Sequence, residues 1–107
     1  MAEQTALTES TFYILLALYK PMHGYGIMQQ VLELSKGRIR MAPGTLYGAL
    51  NTMCEKGWII QLPVEDGSRK KDYKLTEKGK QILLGEIGRL KELVKNADLV
   101  IGEINND

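Results

Sequence analysis

Few residues in this 107-residue sequence have the types and spacing that bond-making chemistry requires. His23 is the only histidine and Cys54 the only cysteine, and neither has companions at ligand spacing, so no metal site is expected within one chain. No nucleophile, base and orienting group form a motif, and no phosphate loop or paired-carboxylate motif is present. The sequence therefore argues against an enzyme and calls for no cofactor. What remains is recognition chemistry. A basic connector carries Arg38 and Arg40, and a later basic stretch carries Arg69, Lys70, Lys71 and Lys74. Between them Thr45, Tyr47, Asn51 and Thr52 offer hydroxyls and an amide. Cations neutralise a polyanion, while Asn can pair bidentately with adenine and Thr can touch a thymine methyl.

Net charge is only +1, but its distribution is uneven. Residues 36–80 hold ten Lys/Arg against five acids, or +5, whereas residues 1–35 and 81–107 are each −2. A basic centre between acidic flanks is the footprint of a polyanion partner, although ordinary surface charge can also cluster in this way. A lone cysteine excludes an intrachain disulfide and suits a reducing compartment. No apolar run approaches a membrane span and the N-terminus lacks signal-peptide features, so a cytoplasmic location is expected.

The polar residues need an element to hold them, and 43–57 supplies one. Pro43 suits a first helical position, Leu46, Leu50 and Met53 recur on one helical face, and Gly57 is a left-handed stop. Thr45, Tyr47, Gly48, Asn51, Thr52 and Glu55 occupy the opposite face. Taken alone, the segment equally describes an amphipathic helix with a solvated side. Two helices precede it. The first, capped by Thr8 with Leu7 and Phe12 as a staple, runs through the unbroken apolar stretch Phe12–Tyr19 to Lys20-Pro21. A helix apolar all round must be buried all round, so Phe12 and its neighbours are expected to meet a second copy of the chain. Met22–Ile27 reads as a turn into the second helix, whose inward stripe is Ile27, Val31 and Leu34.

After Gly57 the period becomes two. Ile59–Val64 and Lys70–Leu75 read as strands of a small β-hairpin around a Glu65–Ser68 turn, with Tyr73 and Leu75 inward. Thr76 caps a final helix, along which Leu83, Ile87, Leu90, Val94, Ala97, Ile101 and Ile104 keep a heptad seam. From Glu77 to Ile104 it would span roughly 42 Å, longer than so small a domain can cover, so this seam is assigned to dimerisation. The resulting expectation is mostly α with a small β-hairpin: a winged helix-turn-helix over residues 1–76 and a dimerisation helix over 77–107.

Four segments carry a family likeness: His23-Gly24-Tyr25-Gly26-Ile27, Pro43-Gly44-Thr45-Leu46-Tyr47-Gly48-Ala49-Leu50, Glu55-Lys56-Gly57-Trp58-Ile59 and Tyr73-Lys74-Leu75-Thr76-Glu77-Lys78-Gly79. In order and spacing they resemble the PadR family of transcriptional regulators, in its short subgroup with one C-terminal dimerisation helix. The resemblance implies a homodimeric repressor on a pseudo-palindromic double-stranded DNA operator, relieved in several members by a small aromatic effector. It places Thr45, Tyr47, Asn51 and Thr52 on the DNA face of the recognition helix, Tyr25 near the DNA backbone, and Arg69, Lys70 and Lys71 on the wing. Three positions depart from the family pattern. Ala42 stands where a Ser cap is usual, Gly48 replaces a Pro, and Asn51 and Thr52 are uncharged where a basic residue is common. An effector, if the protein has one, is expected at the dimer interface between the first and last helices, with Phe12, Tyr13, Tyr19 and Trp58 as its aromatic candidates. The competing readings are a winged-helix protein-interaction module and an RNA binder. The latter needs aromatics on exposed strand faces, and Tyr73 is expected to point inward.

Overall fold

The computed structural model describes residues 6–64 and 70–102. In chain order its elements are α1 (Glu9–Ala17), β1 (Met22–His23), α2 (Gly24–Leu34), α3 (Pro43–Glu55), β2 (Ile59–Gln61), β3 (Asp72–Leu75) and α4 (Glu77–Ile101). These make a mostly helical winged helix-turn-helix with a long last helix. The turn assigned to Glu65–Ser68, and the site residues Arg69 and Ile104, lie outside the described residues.

Thr8 caps α1 by accepting the Thr11 N–H at 3.1 Å. The helix stops at Ala17, short of the Tyr19 expected from the apolar run, and Tyr19 N–H donates to Leu16 in a tighter final turn. Pro21 supplies the physical reason, since Lys20 before it is pushed out of the α region. The chain then enters β1, a strand that the sequence reading takes for a turn. Met22 pairs with Tyr73 and His23 with Asp72, while β2 pairs on the other side of β3 with Ile59 opposite Leu75. The sheet order is β1-β3-β2, so the expected two-stranded unit gains a third strand. Two residues cannot display a period, and their partner lies some fifty positions along the chain.

Every helix contributes to one core: Ile14, Leu15 and Leu18; Ile27 and Val31; Leu46, Leu50 and Met53; and Leu83. Ile59, Tyr73 and Leu75 close it from the sheet. Between α2 and α3, buried Ser35 donates to the Leu32 carbonyl at 3.2 Å and accepts the Ile39 N–H at 2.9 Å. That pair of bonds fixes the turn of the helix-turn-helix. Gly57, with φ of 77°, ends the α3 segment as expected.

Thr76 joins the sheet to α4. Its Oγ1 accepts the Gly79 N–H at 3.0 Å, and its own N–H donates to the Trp58 carbonyl at 2.9 Å. Gly79 then lies so close to Trp58 that a Cβ there would stand 2.9 Å from the Trp58 carbonyl carbon. Leu83 requires a correction. The sequence assigns it to the dimerisation seam, beyond a boundary at residue 76, yet it is 1% exposed and sits in the chain's own core. Ile87 packs partly against the same core. The first turns of α4 thus belong to the winged-helix head, and the uncovered seam begins at Leu90. From there Leu90, Leu93, Val94, Leu99, Val100 and Ile101 are exposed. The helix ends at Gly102, which adopts a left-handed cap with φ of 74°.

Candidate nucleic-acid interface

Helix α3 starts at Pro43 with no side-chain cap from Ala42. Leu46, Leu50 and Met53 turn inward and are buried, leaving Thr45, Tyr47, Asn51 and Thr52 exposed. At about 100° per residue, Gly44, Gly48, Asn51 and Glu55 run down the middle of the outer face. Thr45 and Thr52 flank them on one side and Tyr47 on the other. A Cβ at Gly44 or Gly48 would meet nothing within 4 Å, so a smooth strip lies beside Asn51. Thr52 donates its hydroxyl proton to the Gly48 carbonyl at 3.1 Å, which leaves its oxygen as an acceptor.

On the Tyr47 flank, three elements converge. His23, Gly24 and Tyr25 from the start of α2, Tyr47 from α3, and Lys70 and Lys71 ahead of β3 line an open cavity of about 470 Å³. His23 caps α2: its Nδ1 accepts the Gly26 N–H at 3.2 Å. Its ring stacks with that of Tyr25, centroids 6.5 Å apart and planes inclined by 20°. Tyr25 remains 63% exposed. Two phenols and two lysines therefore face one concavity at a helix N-terminus, an arrangement suited to an anionic oxygen. Sequence reasoning assigns Tyr25, Tyr47, Lys70 and Lys71 but passes over His23 and Gly24. The available signal is the position of His23 immediately before an amphipathic stripe, where a cap belongs.

The connector cations behave differently from one another. Arg40 is exposed. Arg38 makes a two-pronged ion pair with Glu9 at the start of α1, its Nη1 donating to Oε1 at 3.0 Å and its Nη2 to Oε2. Hydrogen bonding to Arg38 holds the Glu9 carboxyl below its ordinary pKa, and the same bond raises that of Arg38. Arg38 thus braces the helix-turn-helix turn against α1.

A second cavity, of about 420 Å³, lies behind α3. Leu7, Thr11, Thr52, Lys56, Trp58 and Ile82 are among its walls. Lys56 Nζ sits 4.8 Å from the centroid of the half-buried Trp58 ring. Of the four aromatics assigned to an effector, Trp58 alone lines this cavity. Phe12 and Tyr13 meet edge to face at 5.9 Å, and Tyr19 is exposed beneath Lys80. Cys54 is half-buried, and burial pushes its thiol pKa up.

The profile of the transcriptional regulator PadR-like family matches residues 13–84, a stretch that includes α3, the whole sheet and every residue lining the cavity beside Tyr47. The chain belongs to the PadR-like family. This PadR-like chain is also similar to solved structures. A PadR family transcription regulator from hypervirulent Clostridium difficile R20291 is 26% identical, with a TM-score of 0.74 over 88% of this chain and 99% of that one. A Thermoplasma acidophilum protein described as a transcriptional regulator is 30% identical, with a TM-score of 0.66 over 90% and 93% of the two chains. Bacillus subtilis PadR, solved in complex with operator DNA, is 28% identical with a TM-score of 0.62, over 72% of this chain and 45% of that longer one. No curated protein matches the PadR-like sequence. Among its described residues no helix is long and apolar enough to cross a membrane.

Proposed function

We propose that this PadR-like regulator binds duplex DNA sequence-specifically as a homodimer and represses transcription from a pseudo-palindromic operator. The observation that carries the reading is the convergence of Tyr25, Tyr47, Lys70 and Lys71 on one cavity beside the exposed polar face of α3. In this reading α3 enters the major groove, with Asn51 central and Thr45 and Thr52 beside it. The cavity grips the adjacent backbone, and Arg40 and the wing cation Arg69 add phosphate contacts. A PadR relative solved in complex with operator DNA supports duplex DNA as the partner. Arg38, neutralised by Glu9, braces the fold and contributes little to phosphate attraction.

Dimerisation is assigned to the exposed stretch of α4, through Leu90, Val94, Ala97 and Ile101, with Phe12 on α1 as a further contact. Ile87 adjoins that stretch at the edge of the core. A small aromatic effector fits best in the cavity lined by Trp58 and Lys56, where it would press on the back of α3. Tyr73, 4% exposed, leaves no aromatic of β3 on an open strand face, which disfavours the RNA-binding alternative.

A mobility-shift titration on duplex from the protein's own promoter, at two salt concentrations and against unrelated duplex, tests the reading. Expected is a retarded complex whose log affinity falls with log salt by about 0.9 per phosphate contacted. Absent or salt-insensitive binding would instead favour a protein-interaction module.

A further inference from the structure

Gly24 has no backbone reason to be glycine. The positive-φ glycines among the described residues are Gly37, Gly57 and Gly102, and Gly24 is the first residue of an ordinary α-helix. Alanine is the better helix former. What excludes it is a side chain from another element. A Cβ on Gly24 would stand 2.7 Å from Tyr47 Cζ and 3.1 Å from its Cε1, with Oη nearer still. At Gly26, two residues on, a Cβ would meet only ordinary contacts, the nearest being Met22 Sδ at 3.5 Å. The missing side chain at Gly24 is therefore a slot occupied by the phenol of Tyr47.

We infer that Gly24 is a positioning residue for DNA binding: it seats the Tyr47 phenol at the rim of the basic cavity, beside Lys70 and Lys71, where a backbone phosphate would lie. This rests on the reading under Proposed function. Tyr47 is 43% exposed, held on one side by the slot and open to a ligand on the other. Fixing its rotamer before binding removes an ordering cost that a free phenol would incur on contact with DNA. The slot also ties the first turn of α2 to the recognition helix.

The test is Gly24→Ala. The colliding atoms are the far end of a side chain, so the phenol can swing aside without disturbing the backbone. Expected is a thermal midpoint equal to or above that of the wild type, with affinity for the promoter duplex weakened by about tenfold or more. In a Tyr47→Ala background, Gly24→Ala should cause no further loss. Wild-type affinity in Gly24→Ala would overturn the inference, as would equal losses in both backgrounds, or a fall in midpoint large enough to explain the weaker binding. If the wild-type chain itself binds no duplex, the reading under Proposed function falls and takes this inference with it. Wild-type binding with an unaffected Gly24→Ala overturns this inference alone.

Discussion

Glu86 offers a sharp test of how the head is joined to α4. It is 2% exposed, yet it carries a carboxylate. Oε2 accepts the Leu7 N–H at 3.0 Å and Arg89 Nη2 at 2.7 Å, while Oε1 accepts Arg89 Nε at 2.7 Å. Glu86→Ala removes a hydrogen bond from a part-buried amide to a charged acceptor, about 1.5–3 kcal/mol. It also removes a buried methylene, about 0.8 kcal/mol. Stranding a fully buried ionic partner costs about 3–5 kcal/mol, but the Arg89 side chain is 27% exposed and can turn into water, so that figure is an upper bound. The expected loss is about 3 kcal/mol, measured by urea unfolding at fixed protein concentration. Leu7→Pro removes the amide donor and leaves the carboxylate in place. Its cost should overlap that of Glu86→Ala, so the double variant falls short of the sum. A Glu86→Ala protein within about 0.5 kcal/mol of wild type, or strict additivity with Leu7→Pro, would refute the claim that this carboxylate holds the start of α1 to α4.

Gly79→Ala should destabilise the head by about 1–3 kcal/mol, because its Cβ would meet the backbone carbonyl of Trp58, which cannot step aside; Trp58 fluorescence during denaturation reads the change. Val94→Glu combined with Ile101→Glu should yield folded monomers by light scattering, whereas Leu83→Ala should lose about 2–5 kcal/mol of head stability without changing assembly. A still-dimeric double variant would show that the exposed half of α4 is not the interface. Replacing Lys70 and Lys71 by Ala should weaken binding to every duplex and flatten its salt dependence; altered sequence preference instead would mean that these lysines read bases. The Glu9 carboxyl, held below its ordinary 4.5 by Arg38, contributes stability above that value and loses it as pH falls through the lowered one. Thermal midpoints from about pH 6 to about pH 3 should therefore fall more steeply for wild type than for Arg38→Ala, and parallel curves would contradict the pair's role.

Much of this was legible locally. Thr8 and Thr76 accept the amide bonds expected of N-caps, and Leu46, Leu50 and Met53 fill the core face that their spacing marks out. Caps and helical faces depend on residues a few positions apart, so the sequence displays them directly. The polar face of α3 was equally visible, but its flanks were not ranked. The structure joins Tyr47 to Tyr25 and the lysines, and turns Thr52 partly toward the cavity behind the helix.

The sequence by itself determined the order of elements, which side of each helix is apolar, and the family whose signature segments they carry. Tertiary structure alone decided what covers those apolar sides. Leu83 and Val94 occupy the same seam in the pattern, but one is in the chain's own core and the other is exposed. β1, the Arg38–Glu9 brace, the Leu7–Glu86 bond and the Gly24 slot likewise join residues from about twenty to about eighty positions apart. Periodicity reports that a face must be buried; it holds no information about which distant residue does the burying, because that depends on how the packed elements meet in space.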